Sequence, residues 1–343
     1  MFILFQVNLT FMNRLKVFLI VLVLVSFKTF ACLNWELKIL KNKVEIYRDR
    51  TYQYIPYGHQ FKIKDFPALI WDLEKGYEKT KDIDYLSDKG YVLIIQGKYQ
   101  EALKLYLEIE KIKPNRYSTA SNLGTLYELM GENQKAYEWI KKSIQLNPES
   151  HERSEWLHLK ILEAKIQKLQ NPSGQFFINT SFDSEVAPKT KLSYEELDKL
   201  KHALYFQLNE RVSFIKPKDQ IISVLLFELG NITNVMSEYN YKDASEIYLL
   251  SKQYGFENEL VNKRLILCLK QISNYCSQQG KQIDEVVVEL TRKNNILNWR
   301  LSKKNENLTL ALICVIIFSI LLMVCLGVFF LKWKKLKKST STS

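Results

Sequence analysis

Residues 90–114 read GYVLIIQGKYQEALKLYLEIEKIKP, and residues 124–148 read GTLYELMGENQKAYEWIKKSIQLNP. The second string restates the first 34 residues later. Gly90 recurs as Gly124, Gly97 as Gly131, Ala102 as Ala136 and Pro114 as Pro148, while Tyr106 is answered by another large apolar residue, Ile140. Each copy carries apolar residues at helical spacing on both sides of a central glycine, which predicts two helices joined by a tight turn. Gly97 and Gly131 follow the first helix, where glycine can take the positive φ of a C-cap. Ala102 and Ala136 fall where the two helices cross and only a small side chain fits. Pro114 and Pro148 close the second helix, because proline cannot continue it. One helix pair leaves an apolar face that only a neighbouring pair can cover, so further helices must stack on these two units.

A 34-residue helix–turn–helix unit is the tetratricopeptide (TPR) period, and Asp84–Pro148 resembles two such repeats. The wider string, from NLGTLYELMGENQKAYEWIKKSIQLNPESHERSEWLHLKILEAKI to FIKPKDQIISVLLFELGNI, is similar to envelope-associated TPR proteins of bacteria with a C-terminal anchor. The resemblance implies an all-α, solenoid-like fold that binds a protein or peptide partner and carries out no reaction. In TPR proteins the first helix of each unit lines a concave groove. Carried over, this gives Ser87, Tyr91 and Ile95 from the first unit and Ser121, Asn122, Thr125 and Glu128 from the second. Some TPR adaptors clamp a terminal carboxylate with lysine, arginine and asparagine. Asn122 matches one such position, but Ser87, Tyr91, Glu152 and Trp156 stand at the others, so that cationic clamp is absent. The plainer reading of the seven residues is a solvated curved surface.

The chain has 343 residues and a net charge of +12. Residues 1–31 and 332–343 hold eight cations and no acid, which leaves +4 for everything between. Charge located this way argues against nucleic-acid binding and for membrane topology. Arg14 and Lys16 precede the apolar run Val17–Phe27, and Thr29 and Ala31 supply small residues before Cys32, which predicts a signal peptide over 1–31 with Met12 as the true start. An uncleaved anchor and a lipidated Cys32 are the alternatives. Leu308–Leu331 holds no charge and would span about 36 Å as a helix, enough to cross a bilayer. KWKKLKK follows, which places the tail 332–343 in the cytoplasm and the main domain outside the inner membrane.

Between these ends, residues 32–83 form an N-terminal cap. Part of it is irregular or a short strand pair, and a helix over Asp65–Lys79 covers the first repeat. A helix with Ser150 as N-cap follows Pro148 and completes the unit 84–170. Residues 171–192 read as a loop. Ser193 with Glu196 is a capping-box pattern opening a second lobe over 193–280. There NYKDASEIYLL echoes GKYQEALKLYL, with Ala244 and Tyr248 in the places of Ala102 and Tyr106. Over 281–307, Ile283, Val287, Leu290, Asn294, Leu297, Leu301, Lys304 and Leu308 follow steps of four and three, with Lys304 interrupting the apolar seam. That pattern fits a homodimeric coiled coil through 283–308 or a helix packed on its own chain.

Chemistry is thinly signalled. His151, Glu155 and His158 stand at i, i+4 and i+7 and could offer a divalent metal two imidazoles and a carboxylate. They equally suit the polar edge of a packed helix, and there is no HExxH. Cys268 and Cys276 lie about 12 Å apart along one helix, too far to pair. No phosphate loop, GxSxG or CxxC is present. The sequence therefore predicts no catalytic residues, no cofactor and no metal site. It predicts a non-enzymatic scaffold or assembly factor of the cell envelope. The alternative is a membrane sensor that reports to a separate chain. Asn179 and Asn231 sit in glycosylation sequons that would matter only in a eukaryotic secretory host.

Overall fold

The structure, a computed structural model, describes residues 37–49, 54–236 and 240–278. The expectations for the signal peptide, the juxtamembrane helix, the spanning segment and the basic tail fall outside those residues. Among the described residues, no helix is long and apolar enough to cross a membrane.

Two strands, β1 (Leu37–Ile39) and β2 (Glu45–Arg48), pair antiparallel with a register shift at Lys38/Ile39. The fold is thus not purely helical, and the strand pair half-seen in the sequence is real. The rest is a chain of helices. Helix α1 (Phe66–Thr80) starts on Asp65, whose carboxylate accepts the Ala68 amide at 2.9 Å. It covers the first repeat through Leu69 and Leu73, as its apolar spacing predicts.

The repeats are α2 (Ile83–Ile95) with α3 (Tyr99–Ile112), and α4 (Tyr117–Leu129) with α5 (Asn133–Leu146). Gly97 and Gly131 turn each pair with φ of +75° and +79°. Ala102, Ala136, Tyr106 and Ile140 are wholly buried in one core with Leu123 and Leu126. Both second helices stop two residues before their proline.

The segment after Pro148 departs from expectation. Ser150 caps nothing, and its hydroxyl is buried without a hydrogen-bond partner. A 3-10 turn, Ser150–Arg153, precedes α6 (Glu155–Ile166), because His151 and Arg153 take positive φ and break the helical run. The expected loop 171–192 contains a short helix, α7 (Gly174–Ile178), which buries Phe177.

Helix α8 (Tyr194–Phe214) begins with the capping box. Glu196 accepts the Ser193 amide at 2.7 Å, and the Glu196 amide donates back to the Ser193 hydroxyl. Helices α9 (Gln220–Met236) and α10 (Tyr241–Tyr254) form the degenerate pair, with Ala244 and Tyr248 fully buried at its crossing. Helix α11 (Glu259–Gln278) packs on α10. Asn231 is buried in this lobe and bonded by Tyr248 and Arg264, so its sequon is closed, whereas Asn179 is exposed. Leu157, Ile161 and Ala164 of α6 share a core with α8–α10, so the two lobes are continuous through α6.

Candidate functional site

The first helices of the repeats, α2, α4 and α6, present one curved face. The sequence predicts that face as an open groove. It is instead largely filled by the chain itself, in two layers.

The inner layer is the C-terminal half of α8. Arg211 reaches the Glu128 carboxylate at 3.1 Å, Lys165 donates to it at 2.7 Å, and His158 Nε2 lies 2.7 Å away. Arg211 also donates to Gln207 Oε1, and the Gln207 amide donates to the Ser154 hydroxyl. Burial pushes the Glu128 carboxyl up, but Arg211, Lys165 and His158 outweigh it and hold it well below the usual range. Glu155 accepts from His151 and stands 3.3 Å from His158 Nδ1. Burial opposes ionisation of Glu155 too, and the two histidines overcome it. Burial lowers His151, but Glu155 raises it above the ordinary histidine value. The histidines and glutamates thus spend their donor and acceptor atoms on one another and on α8. Among the described residues no group of three or more His, Cys, Asp or Glu is placed to hold a metal ion. Phe214 completes the layer, packed between the repeat core and the hairpin core.

The outer layer is residues 54–63, which strap α8 in place. The Gly58 amide donates to Asn209 at 2.9 Å and the His59 amide to the Ser213 hydroxyl at 2.7 Å. His59 stacks on Tyr47 at 3.9 Å and stands between Asp49 and Glu210, at 2.8 and 3.2 Å. Burial lowers this histidine, but the two carboxylates raise it to about 9, so it is an imidazolium at neutral pH.

These layers divide the seven predicted groove residues. Ser121, Thr125 and Glu128 border a narrow gap of about 30 Å³ against Gln207, Arg211 and Phe214, room for about one water. Ser87, Tyr91 and Asn122 border an open cleft of about 370 Å³ beneath the β-hairpin. Ile95 packs half-buried in the hairpin core beside Tyr91. Of the seven, only Ile95 and Thr125 are more than marginally exposed, so an open face is not what this surface offers.

The cleft has a defined floor. Tyr106 donates its single hydroxyl proton to the Ser87 carbonyl at 2.9 Å, so it must accept from the Asn122 amide, also at 2.9 Å. That fixes the Asn122 orientation and leaves its Oδ1 buried and unpaired. The wall opposite is the hairpin, with Lys38, Lys41 and Lys43.

Sequence reasoning missed the residues that fill the groove. Arg211 stands among Asn209, Glu210 and Ser213, so its local sequence reads as an ordinary polar helix face. Nothing local marks His59, Asp49 or the hairpin lysines.

Comparison with known proteins agrees with the repeat. The sequence model of the tetratricopeptide repeat matches residues 118–150. A TPR repeat-containing protein of Methanocaldococcus jannaschii is 36% identical over 209 residues, which is 61% of this chain and 30% of that protein. A BBSome complex member of Bos taurus is 21% identical over 225 residues, 63% of this chain and 40% of that protein. The chain thus spans less than half the length of these curated relatives. A solved tetratricopeptide repeat protein from Parabacteroides merdae aligns over 60% of this chain and 93% of its own, at 16% identity and a TM-score of 0.26. This chain thus carries a match to the tetratricopeptide repeat over residues 118–150. Further TPR-like helix pairs flank it on both sides.

Proposed function

We propose that the protein is a non-catalytic scaffold that holds a protein partner at the open end of its concave face, in the cleft between the β-hairpin and helices α2 and α4. The observation that supports this reading is the division of that face. Its inner end is narrowed by α8 to about 30 Å³, whereas about 370 Å³ stays open at the outer end, above Ser87, Tyr91 and Asn122. TPR domains act in general as protein-binding surfaces, and a partner segment laid along helix faces is one of the recurring peptide-recognition modes. The same reading places the scaffold at a membrane. Leu308–Leu331 would span it and Lys332–Lys338 would hold the tail inside, with the repeats on the other side.

Photocrosslinking tests the cleft. A benzophenone amino acid replacing Ser118, on the cleft wall, is expected to give a discrete protein adduct in cells. The same probe at Lys135, on the exposed outer side of α5, is expected to give none. Equal labelling from both positions, or none from Ser118, overturns the proposal. A reporter after Ser343 that is active only on the far side of the membrane would refute the orientation.

A further inference from the structure

The cleft that the proposed function relies on also has a chemistry, and the repeats do not supply it. Its cations come from elements on either side of the helix faces. Lys38, Lys41 and Lys43 come from the β-hairpin, and Arg116 comes from the turn before α4. Against these four stand two acids, Asp84 and Asp88.

The acids are already engaged. Arg116 and Lys41 both contact Asp84, with Lys41 at 3.6 Å and also 2.7 Å from Asp82. Asp88 accepts the Lys41 backbone amide at 2.6 Å and lies 3.9 Å from the Lys38 ammonium. Lys38 also lies over the Tyr91 ring, 5.7 Å from its centre, so its stem is held against the cleft. Lys43 stands at the exposed hairpin turn, and among the described residues it forms no ion pair. The wall is therefore a cationic rim with one unspent charge and one loosely paired charge. It surrounds a floor of buried side chains, Ser87, Tyr91 and Asn122.

A segment that fits must bring carboxylates to the rim. An extended acidic peptide does so, with its side chains at Lys38 and Lys43. A basic peptide would meet the rim with like charge, which costs binding. On the reading proposed above, we infer that the partner is recognised through an acidic segment, and that the β-hairpin rather than the repeat helices supplies the cations that read it.

The carboxylates of such a segment could be side chains or a free C-terminus, and the test separates them. Binding is measured by fluorescence anisotropy on the full-length chain in mild detergent. The probes are labelled decapeptides: one glutamate-rich, one with every glutamate replaced by glutamine, and an amidated form of the first. The glutamate peptide is expected to bind about tenfold tighter than the glutamine peptide. That difference is expected to vanish at about 1 M salt, where the Debye length is about 3 Å. The paired change Lys38→Glu with Lys43→Glu is expected to weaken the glutamate peptide about tenfold and leave the glutamine peptide unchanged. Equal binding of the amidated form assigns the contact to side chains, and loss on amidation assigns it to the terminus. Either result supports the inference. Equal affinity for the glutamate and glutamine peptides, or no effect of the lysine reversal, overturns it. If Ser118 crosslinking persists in that case, the scaffold reading stands and only the acidic recognition falls. If the crosslink is absent as well, both fall.

Discussion

The ring of Tyr106 occupies the space a side chain on Gly90 would need: a Cβ built on Gly90 would lie 2.6 Å from Tyr106 Cζ. The same relation joins Gly124 to Ile140 and Gly230 to Tyr248, at 2.3 and 2.6 Å. Three helix pairs thus close on one device, a glycine in the first helix receiving a large side chain from the second. Only two of the three glycines stand in the 34-residue register.

Gly90→Ala and Gly124→Ala should therefore differ. In an open helix, glycine to alanine gains up to about 1 kcal/mol. Here the added methyl overpacks, which costs about 1–3 kcal/mol. Tyr106 cannot yield, because its hydroxyl is tied to Ser87 and Asn122. The obstacle at Gly124 is mainly the outer end of Ile140, which can rotate. Gly90→Ala should be the more destabilising, read as the shift in urea midpoint. Equal midpoints for the two variants would refute the difference.

Arg211→Leu should be far worse than its exposed neighbours. It leaves the buried Glu128 carboxylate with Lys165 and His158 but without its partner on α8. Breaking a buried pair from one side costs about 3–5 kcal/mol. Pairing the change with Glu128→Leu should recover part of the loss. Protease sensitivity across 205–220 should rise in the single variant and fall back in the double.

Stability should decline on the alkaline side through His59. Its value is raised in the fold, from the ordinary 6.5 to about 9. The stabilisation from its charged form is fully present below about pH 6.5 and is lost as pH rises through about 9. The change amounts to about 3 kcal/mol. His151, raised by Glu155, adds in the same direction. His59→Gln should flatten the slope between those pH values in chemical denaturation, and an unchanged slope would contradict the assignment. Glu128 and Glu155, held low, act on the other side, and their contribution is lost as pH falls below the ordinary carboxyl range.

Arg264→Leu should loosen residues 182–191 without unfolding the repeats. Its guanidinium donates to the carbonyls of Phe182, Asp183 and Glu185 and to Asn231. Without it those carbonyls lose their donor, at about 1–3 kcal/mol for each one left unsatisfied. Faster tryptic cutting after Lys189 and Lys191, with cutting after Lys104 and Lys111 unchanged, is the expected pattern.

The repeat was legible in the sequence because it is local. Gly97, Ala102, Pro114 and their copies each act within one turn or one helix crossing, so spacing alone specifies what they do. The capping box at Ser193 and the apolar stripe of α1 were readable for the same reason. The fate of the concave face was not. Seven residues were assigned to it from the first-helix positions, yet Ser121 and Glu128 are covered by α8 through Arg211 and Phe214, and Tyr91 lies in the hairpin core, with partners tens of residues away in sequence. No periodicity links Glu128 to Arg211 or Ser213 to His59, because a contact between chain segments leaves no mark on either segment alone. The break at His151 escaped as well: its helical spacing is intact, and the positive φ of His151 and Arg153 is visible only in the folded backbone. The sequence by itself determined that helix pairs stack and where each one turns. The tertiary structure alone decided that the inner groove is narrowed by the protein's own α8 and that a cationic hairpin overhangs what stays open, because both follow from long-range packing of charges that burial forces to find partners.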